Sequence, residues 1–273
     1  MKPLMEDNKR TIGLDIGGTK CAAVLGFAGG GTMEIREKER FDTPAGNPGA
    51  VLGRFENFIR AHAGGLAGIG ISCGGPLDAE RGVILSPPNL PGWDGIEIVR
   101  YFAERFRVPV RLQNDANACA LAEWKYGAGR GLRNLVFLTF GTGLGAGLIL
   151  DGKLYSGTGG LAGEIGHWRM EEDGPVGFGK SGSLEGFCSG GGLAQLARSA
   201  DPDRRNITAK RAAELADGGD EAMRGVYARS GYVLGRALAL ILDFLDPEMV
   251  ILGSIFARSG HLLWPYAKEV LEQ

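Results

Sequence analysis

In Thr11-Ile12-Gly13-Leu14-Asp15-Ile16-Gly17-Gly18-Thr19-Lys20-Cys21-Ala22-Ala23-Val24-Leu25, apolar residues stand on both sides of the hexapeptide Asp15 to Lys20. Apolar runs of this length interrupted by Gly-Gly predict two short strands joined by a glycine turn. Leu135 to Leu150 repeats the plan. There Leu135-Val136-Phe137-Leu138-Thr139-Phe140 leads into Gly141-Thr142-Gly143-Leu144-Gly145, and Ala146 to Leu150 follows. Aligning Asp15 with Thr139 sets the two hairpins about 124 residues apart, which predicts a duplicated domain plan with two similar lobes rather than a short-period solenoid.

Working outward, Val51, Leu52, Phe55, Phe58 and Ile59 have helical spacing, as do Ile98, Val99, Phe102 and Phe106. Short strands are expected at Gly68 to Cys73 and Val108 to Leu112, and an alanine-rich helix from Asn114 to about Trp124. A further helix carries Tyr232, Leu234, Leu238, Leu242 and Leu245 and ends at Asp246-Pro247. A strand follows at Met249 to Leu252, then Gly253. Strands alternating with helices indicate an α/β class. The lobe boundary is placed near Gln113, giving an N-terminal lobe over 10–113 and a C-terminal lobe over 114–273.

Glycine accounts for 47 of the 273 residues, about one in six against roughly 7% in an average protein. Eighteen fall between Gly141 and Gly192. A cluster of that kind beside strong strand signals reads as binding loops on a rigid scaffold. Thirty Lys+Arg against 32 Asp+Glu give a net charge of -2, so neither a nucleic-acid groove nor an anionic membrane is expected as partner. Met1 to Arg10 has no apolar core of a leader, and no apolar run reaches the 18 or so residues that span a bilayer. A cytoplasmic protein is expected. Cys21, Cys73, Cys119 and Cys188 form no CxxC pair and read as free buried thiols.

Asp15, then Gly17-Gly18-Thr19 and Lys20, supplies a carboxylate at a strand end, backbone N–H groups, a hydroxyl and an ammonium. Together these suit a metal-bound phosphate, though a plain hairpin turn would look similar locally. A second turn at Gly141-Thr142-Gly143 favours the phosphate, because two such turns could close on one polyphosphate. There is no GxxxxGK[ST] loop, and no GxGxxG follows the first strand. Asn114-Asp115-Ala116-Asn117 follows a strand and opens a helix, so it reads either as an N-cap or as a general base placed against a substrate hydroxyl. Glu164 and His167, three residues apart, could grip vicinal sugar hydroxyls or form a metal pair or a structural contact. Glu185 is a further candidate.

With those motifs in order, and with Val250-Ile251-Leu252-Gly253 after them, the chain resembles the ROK family of sugar kinases and repressors from Thr11 to its end. The resemblance implies a two-lobed actin-like ATPase fold, a duplicated ribonuclease H-like plan with nucleotide and sugar in the interlobe cleft. It implies ATP-dependent phosphorylation of a hexose or amino-hexose hydroxyl, by likeness to glucokinases the 6-hydroxyl, with Asp115 as base. Asn114, Glu164, His167 and Glu185 would hold the sugar, and Gly74, Gly75 and Asn89 would shape its other wall. Asp15 would sit on the Mg²⁺ side, Gly17, Gly18, Thr19, Lys20, Gly141, Thr142 and Gly143 along the phosphates, and Gly253 and Ser254 near the adenosine. A homodimer is also implied.

Two departures bear on these expectations. Where many ROK members carry a CxCGxxGC zinc stretch, this chain has Gly177-Phe178-Gly179-Lys180-Ser181-Gly182-Ser183. A structural zinc needs about four ligands, so zinc is not expected. Relatives also continue past the adenosine motif for several elements, so a shortened C-terminal lobe is expected here. A sugar-binding protein without catalysis and a sugar-responsive regulator are the competing classes. The regulator would need a helix-turn-helix segment ahead of Thr11, where ten residues stand.

Overall fold

The computed structural model describes residues 9–273; most of the stretch inspected above for a leader lies outside the described residues. The chain divides into two compact units, one reaching to Ala118 and the other running from Cys119 to Gln273. Asn114 and Asp115 therefore belong with the first unit, somewhat beyond the boundary expected at Gln113.

The first unit contains β1 (Lys9–Ile16), β2 (Lys20–Gly29), β3 (Thr32–Asp42), α1 (Pro48–Ala61), β4 (Leu66–Cys73), β5 (Leu77–Asp78), β6 (Val83–Ile84), α2 (Ile98–Phe106) and β7 (Val110–Asn114). Its five-stranded sheet has the order β3-β2-β1-β4-β7, with β1 to β3 antiparallel and β4 and β7 parallel to β1. Helix α1 buries Val51, Leu52, Phe55, Phe58 and Ile59, the residues whose spacing predicted it. Asn47 caps it by accepting from the Ala50 amide at 3.1 Å, and Pro48 occupies the first turn, where no N–H is required. Ile12, Leu14, Ile16, Ile69, Ile71, Val110 and Leu112 bring the strands into the same core as Phe55 and Phe102. Strand β3 was not foreseen. Its Glu34, Arg36, Lys38 and Arg40 are exposed or nearly so, as suits an edge strand whose charges discourage pairing with other chains.

Helix α3 (Asp115–Tyr126) leads into the second unit. There follow β8 (Leu135–Phe140), β9 (Leu144–Leu150), β10 (Lys153–Tyr155), a 3-10 turn (Ile165–His167), β11 (Val176–Gly177), β12 (Lys180–Ser181), α4 (Leu184–Phe187), α5 (Gly190–Ala200), α6 (Ala209–Asp217), α7 (Glu221–Leu245), β13 (Met249–Ser254) and α8 (Phe256–Leu271). The sheet order is β10-β9-β8-β13, with β8 to β10 antiparallel and β13 parallel to β8. This is the arrangement of β3-β2-β1-β4 again, so the duplicated plan expected from the two hairpins is present.

Apolar residues fill both faces of this second sheet. Leu135, Phe137 and Ile149 pack with Ala120 and Trp124 of α3 on one side. Val136, Leu138 and Phe140 pack with Leu193, Leu234, Ala237 and Leu263 on the other. Glu248 pins the start of β13 beside β8 by accepting from the amides of Arg133 and Asn134 at 2.6 and 2.7 Å. Those bonds favour the charged carboxylate and hold it below its usual range. The glycine-rich segment is more ordered than loops on a scaffold. At Gly192 a Cβ would stand 1.8 Å from the Gly186 carbonyl oxygen, so the residue is required for α5 to pack on α4. Three cysteines are buried as expected, but Cys119 on α3 is exposed, because the helix turns that position away from the Ala116 and Ala120 face.

Candidate active site

In the first unit, the parallel strands β1, β4 and β7 end level with one another. Asp15 is in register with Ser72, and Ser72 with Gln113; Ile16, Cys73 and Asn114 form the next row. Asp15 and Asp115 thus lie at the carboxyl edge of three parallel strands, the side on which open α/β sheets bind ligands. Asp15 accepts a hydrogen bond from Ser72. Loss of hydration among the surrounding protein atoms, and then the charge of Asp115, push the Asp15 carboxyl above its ordinary range despite that bond. Beneath them the Cys73 thiol is fully buried and is pushed up to about 12 by burial and by both carboxylates, so it stays protonated.

The first glycine turn closes with the Gly17 amide donating to the Lys20 carbonyl at 3.2 Å. Thr43 secures it, its hydroxyl donating to the Gly17 carbonyl at 2.6 Å and its amide to the Thr19 carbonyl at 2.9 Å. Among the described residues the amides of Gly18 and Thr19 remain unpaired, as an anion site requires. A Cβ on Gly18 would stand 2.4 Å from the Asn89 carbonyl oxygen, so the turn and the Asn89 wall are in close approach. The Lys20 ammonium lies 3.7 Å from Asp42. Gly74 and Gly75 directly follow β4, and a Cβ on Gly75 would stand 3.9 Å from the Asn114 amide nitrogen.

Asn114 meets the capping alternative: its side-chain oxygen accepts from the Ala116 amide at 3.0 Å and the Asn117 amide at 3.4 Å. Its NH₂ group is left to face a ligand. Asp115 accepts from the Ala116 amide at 2.8 Å through Oδ1, which orients the exposed carboxylate and leaves Oδ2 available. Asn117, the last residue of that sequence box, is buried and donates to Gln113 instead.

In the second unit, the Gly141 amide donates to the Gly143 carbonyl at 2.9 Å, which closes the second glycine turn. Glu185 on α4 is bound to this turn: its Oε2 accepts from the Leu144 amide at 2.9 Å, and a Cβ on Gly143 would stand 2.6 Å from the same oxygen. One carboxylate oxygen, Oε2, is thereby committed. Glu164 and His167 do share a face, because a 3-10 turn joins them; Nε2 lies 3.8 Å from the Glu164 carboxylate. Both are exposed. Ser254 stands beside the turn, 3.3 Å from where a Gly141 Cβ would be. Gly253 has a different role from the expected one of ligand contact alone: a Cβ there would stand 2.6 Å from the Phe137 ring, so packing already demands glycine.

Sequence reasoning missed the cavity beyond this turn. About 930 Å³ in volume, it is lined by Thr142, Gly190 and Gly191, by Arg198, Arg205, Lys210 and Tyr227, and by Ile255, Arg258 and Ser259. The Gly190 amide donates to the Gly141 carbonyl at 2.8 Å, which sets the N-terminus of α5 against the turn. The triple glycine Gly190-Gly191-Gly192 was the available signal. The basic residues come from four separate segments and carry no local pattern. Tyr227 donates to the Ala209 carbonyl at 2.8 Å, and burial pushes its phenol up to about 12.

Among the described residues no three His, Cys, Asp or Glu side chains gather as a metal cage. The Asp15 carboxylate, at a strand end beside the glycine turn, fits Mg²⁺ shared with phosphate oxygens and water, which needs only one or two carboxylates. Residues 177–183 do not fit zinc: they offer backbone, hydroxyls and one ammonium. The nearby Cys188 thiol is fully buried against Ser230 and pushed up to about 12.

A family model described as the ROK family matches residues 11–273. The chain is 33% identical to a glucokinase of Streptomyces coelicolor, over 93% of this chain and 84% of that protein. It is 36% identical to an N-acetylmannosamine kinase of Escherichia coli O157:H7, over 92% of this chain and 85% of that protein. Its fold superposes with a TM-score of 0.79 on a ROK family glucokinase from Streptomyces griseus, solved in complex with glucose and AMPPNP; identity is 29%, covering 96% of this chain and 88% of that one. A match that begins at the first strand and runs to the last residue leaves one conclusion, that the chain belongs to the ROK family.

Proposed function

We infer that the chain is an ATP-dependent sugar kinase that phosphorylates a hexose or amino-hexose, at the 6-hydroxyl, with Asp115 as general base. The observation that carries this reading is the pair of strand-end carboxylates beside a glycine turn whose Gly18 and Thr19 amides are unpaired. One carboxylate serves the phosphate side, and the other is oriented by its own helix's first amide. Glucokinases and an N-acetylmannosamine kinase among the relatives support the substrate class.

In this mechanism Asp115 Oδ2 takes the proton of the attacking hydroxyl as its oxygen bonds to the γ-phosphorus, and ADP leaves. For the other hydroxyls the first unit offers Asn114 beside Gly74, Gly75 and Asn89, and the second offers Glu164, His167 and Glu185. The amides of Gly18 and Thr19, with Lys20, are the phosphate donors of the first turn, and the amides of Thr142 and Gly143, in the turn that Gly141 closes, are those of the second. Bound Mg²⁺ would neutralise phosphate charge, with Asp15 holding it directly or through water. The cavity beyond Thr142 takes the nucleoside, with Arg198, Arg205 and Arg258 in its lining supplying positive potential; Gly253 and Ser254 directly precede Ile255 of that lining.

Purified protein with ATP, Mg²⁺ and a panel of hexoses and N-acetylated hexosamines should release ADP with at least one sugar. Silence across the panel would favour a non-catalytic sugar-binding protein. With an accepted sugar, Asp115→Asn should lower kcat by about 100-fold or more and leave sugar affinity nearly intact, because the amide keeps the shape but takes no proton. A variant turning over at the parental rate would exclude Asp115 as the base.

A further inference from the structure

The hairpin of β11 and β12 pairs Val176 with Ser181 and Gly177 with Lys180, so Phe178 and Gly179 alone make its turn. Their φ values are 47° and 74°, the double left-handed conformation of the tightest hairpin turns, in which Asn-Gly or Gly-Gly is the favoured pair. A phenylalanine in the first of these positions is under backbone strain. Burial does not offset that strain, since the residue is 63% exposed. Its aromatic neighbour is His167, with ring centroids 4.9 Å apart and planes tilted by 48°.

The rest of the hairpin is fastened to the same group of residues. The Lys180 ammonium donates to the His167 carbonyl at 2.7 Å. A Cβ on Gly177 would stand 2.7 Å from the Glu185 Cβ, so β11 lies directly on the helix turn that carries Glu185. The Gln195 side chain ties Val176 to α5 through both its amide and its carbonyl, at 2.9 and 2.8 Å. A hairpin held this firmly at its base presents its tip at a defined place. At that tip an aromatic ring, kept at the expense of backbone strain, rests on an exposed imidazole.

We propose that Phe178 is a positioning residue for the sugar site: its ring, carried by the 176–181 hairpin, buttresses the His167 imidazole so that one nitrogen faces the substrate. This rests on the reading of His167 as a sugar contact. The Glu164 carboxylate lies 3.8 Å from Nε2.

Phe178→Gly separates a positioning role from a structural one, because glycine suits the turn better than phenylalanine and only the ring is lost. Expected are an unchanged or raised Tm, a sugar KM increased about tenfold with kcat within about twofold, and an unchanged KM for ATP. Phe178→Tyr should restore the sugar KM. The chain has three histidines, so the His167 Hε1 resonance is identified by its loss in His167→Gln. In Phe178→Gly that resonance should shift as the ring current disappears. An unmoved resonance overturns the proposal, as does a wild-type sugar KM in the glycine variant. If the parent protein phosphorylates no sugar, the kinase reading fails, and the resonance alone decides whether Phe178 holds His167.

Discussion

Asp15 is a residue whose proposed role at the phosphate side opposes the stability of the fold. Its carboxyl titrates above the ordinary aspartate range in the folded protein, chiefly through lost hydration and then through Asp115. It therefore ionises less readily folded than unfolded. The stability it contributes is complete at low pH and is lost as pH rises through its folded value, so above the ordinary aspartate range the carboxyl costs stability. Asp15→Asn should accordingly raise Tm at pH about 7 while removing turnover, and the gain should fade as the pH approaches about 4. Thermal melts of both proteins at the two pH values check this; a lower Tm for the variant at neutral pH would exclude the account. Phe178 carries strain for a similar reason, about 1 to 2 kcal/mol for a non-glycine residue in the left-handed region.

At the level of elements, the helices legible in the sequence were those with one apolar face. Val51, Leu52, Phe55, Phe58 and Ile59 of α1 are local information, since 3.6-residue periodicity places them together before any tertiary contact forms. β3 was illegible because an exposed edge strand with charges on both faces has no burial pattern to read. The pairing of α7 with α8 was also unread. Gly231 and Gly235 stand four apart on one face of α7, where Cβ atoms would come 2.4 Å from the Leu263 carbonyl oxygen and 2.6 Å from that of Ala267. The two helices therefore touch backbone to backbone. Gly235→Ala would improve helix propensity in isolation, yet it should force α8 away and destabilise the protein by about 1 to 3 kcal/mol. The denaturant midpoint measures this, and an unchanged or increased midpoint would show that α8 can give way freely.

On the scale of the whole molecule, hydrogen bonds and close packing hold the stretch of the second unit that stands where ROK relatives carry zinc thiolates. Gly177 to Ser183 form a hairpin secured by Gln195, and Ser183 caps α4 by accepting from the Gly186 amide at 3.1 Å. A strong chelator followed by dialysis should leave Tm unchanged, and elemental analysis should find no stoichiometric zinc. A fall in Tm after chelation would show a structural metal. No helix among the described residues is long and apolar enough to cross a membrane.

By itself the sequence determined the two glycine hairpins, their shared plan, and where along the chain the polar groups Asp15, Asp115, Glu164, His167 and Glu185 stand. Each of these depends on neighbours within a few residues: strand propensity on either side of a glycine turn, or a carboxylate at a strand end. Only the tertiary structure decided what those groups touch. Glu185 is tied to the Leu144 amide 41 residues away, the cavity beyond Thr142 draws its basic residues from four segments, and Phe178 reaches His167 across a hairpin. Such contacts are set by how sheets and helices pack, and packing joins positions whose separation along the chain carries no periodic signal.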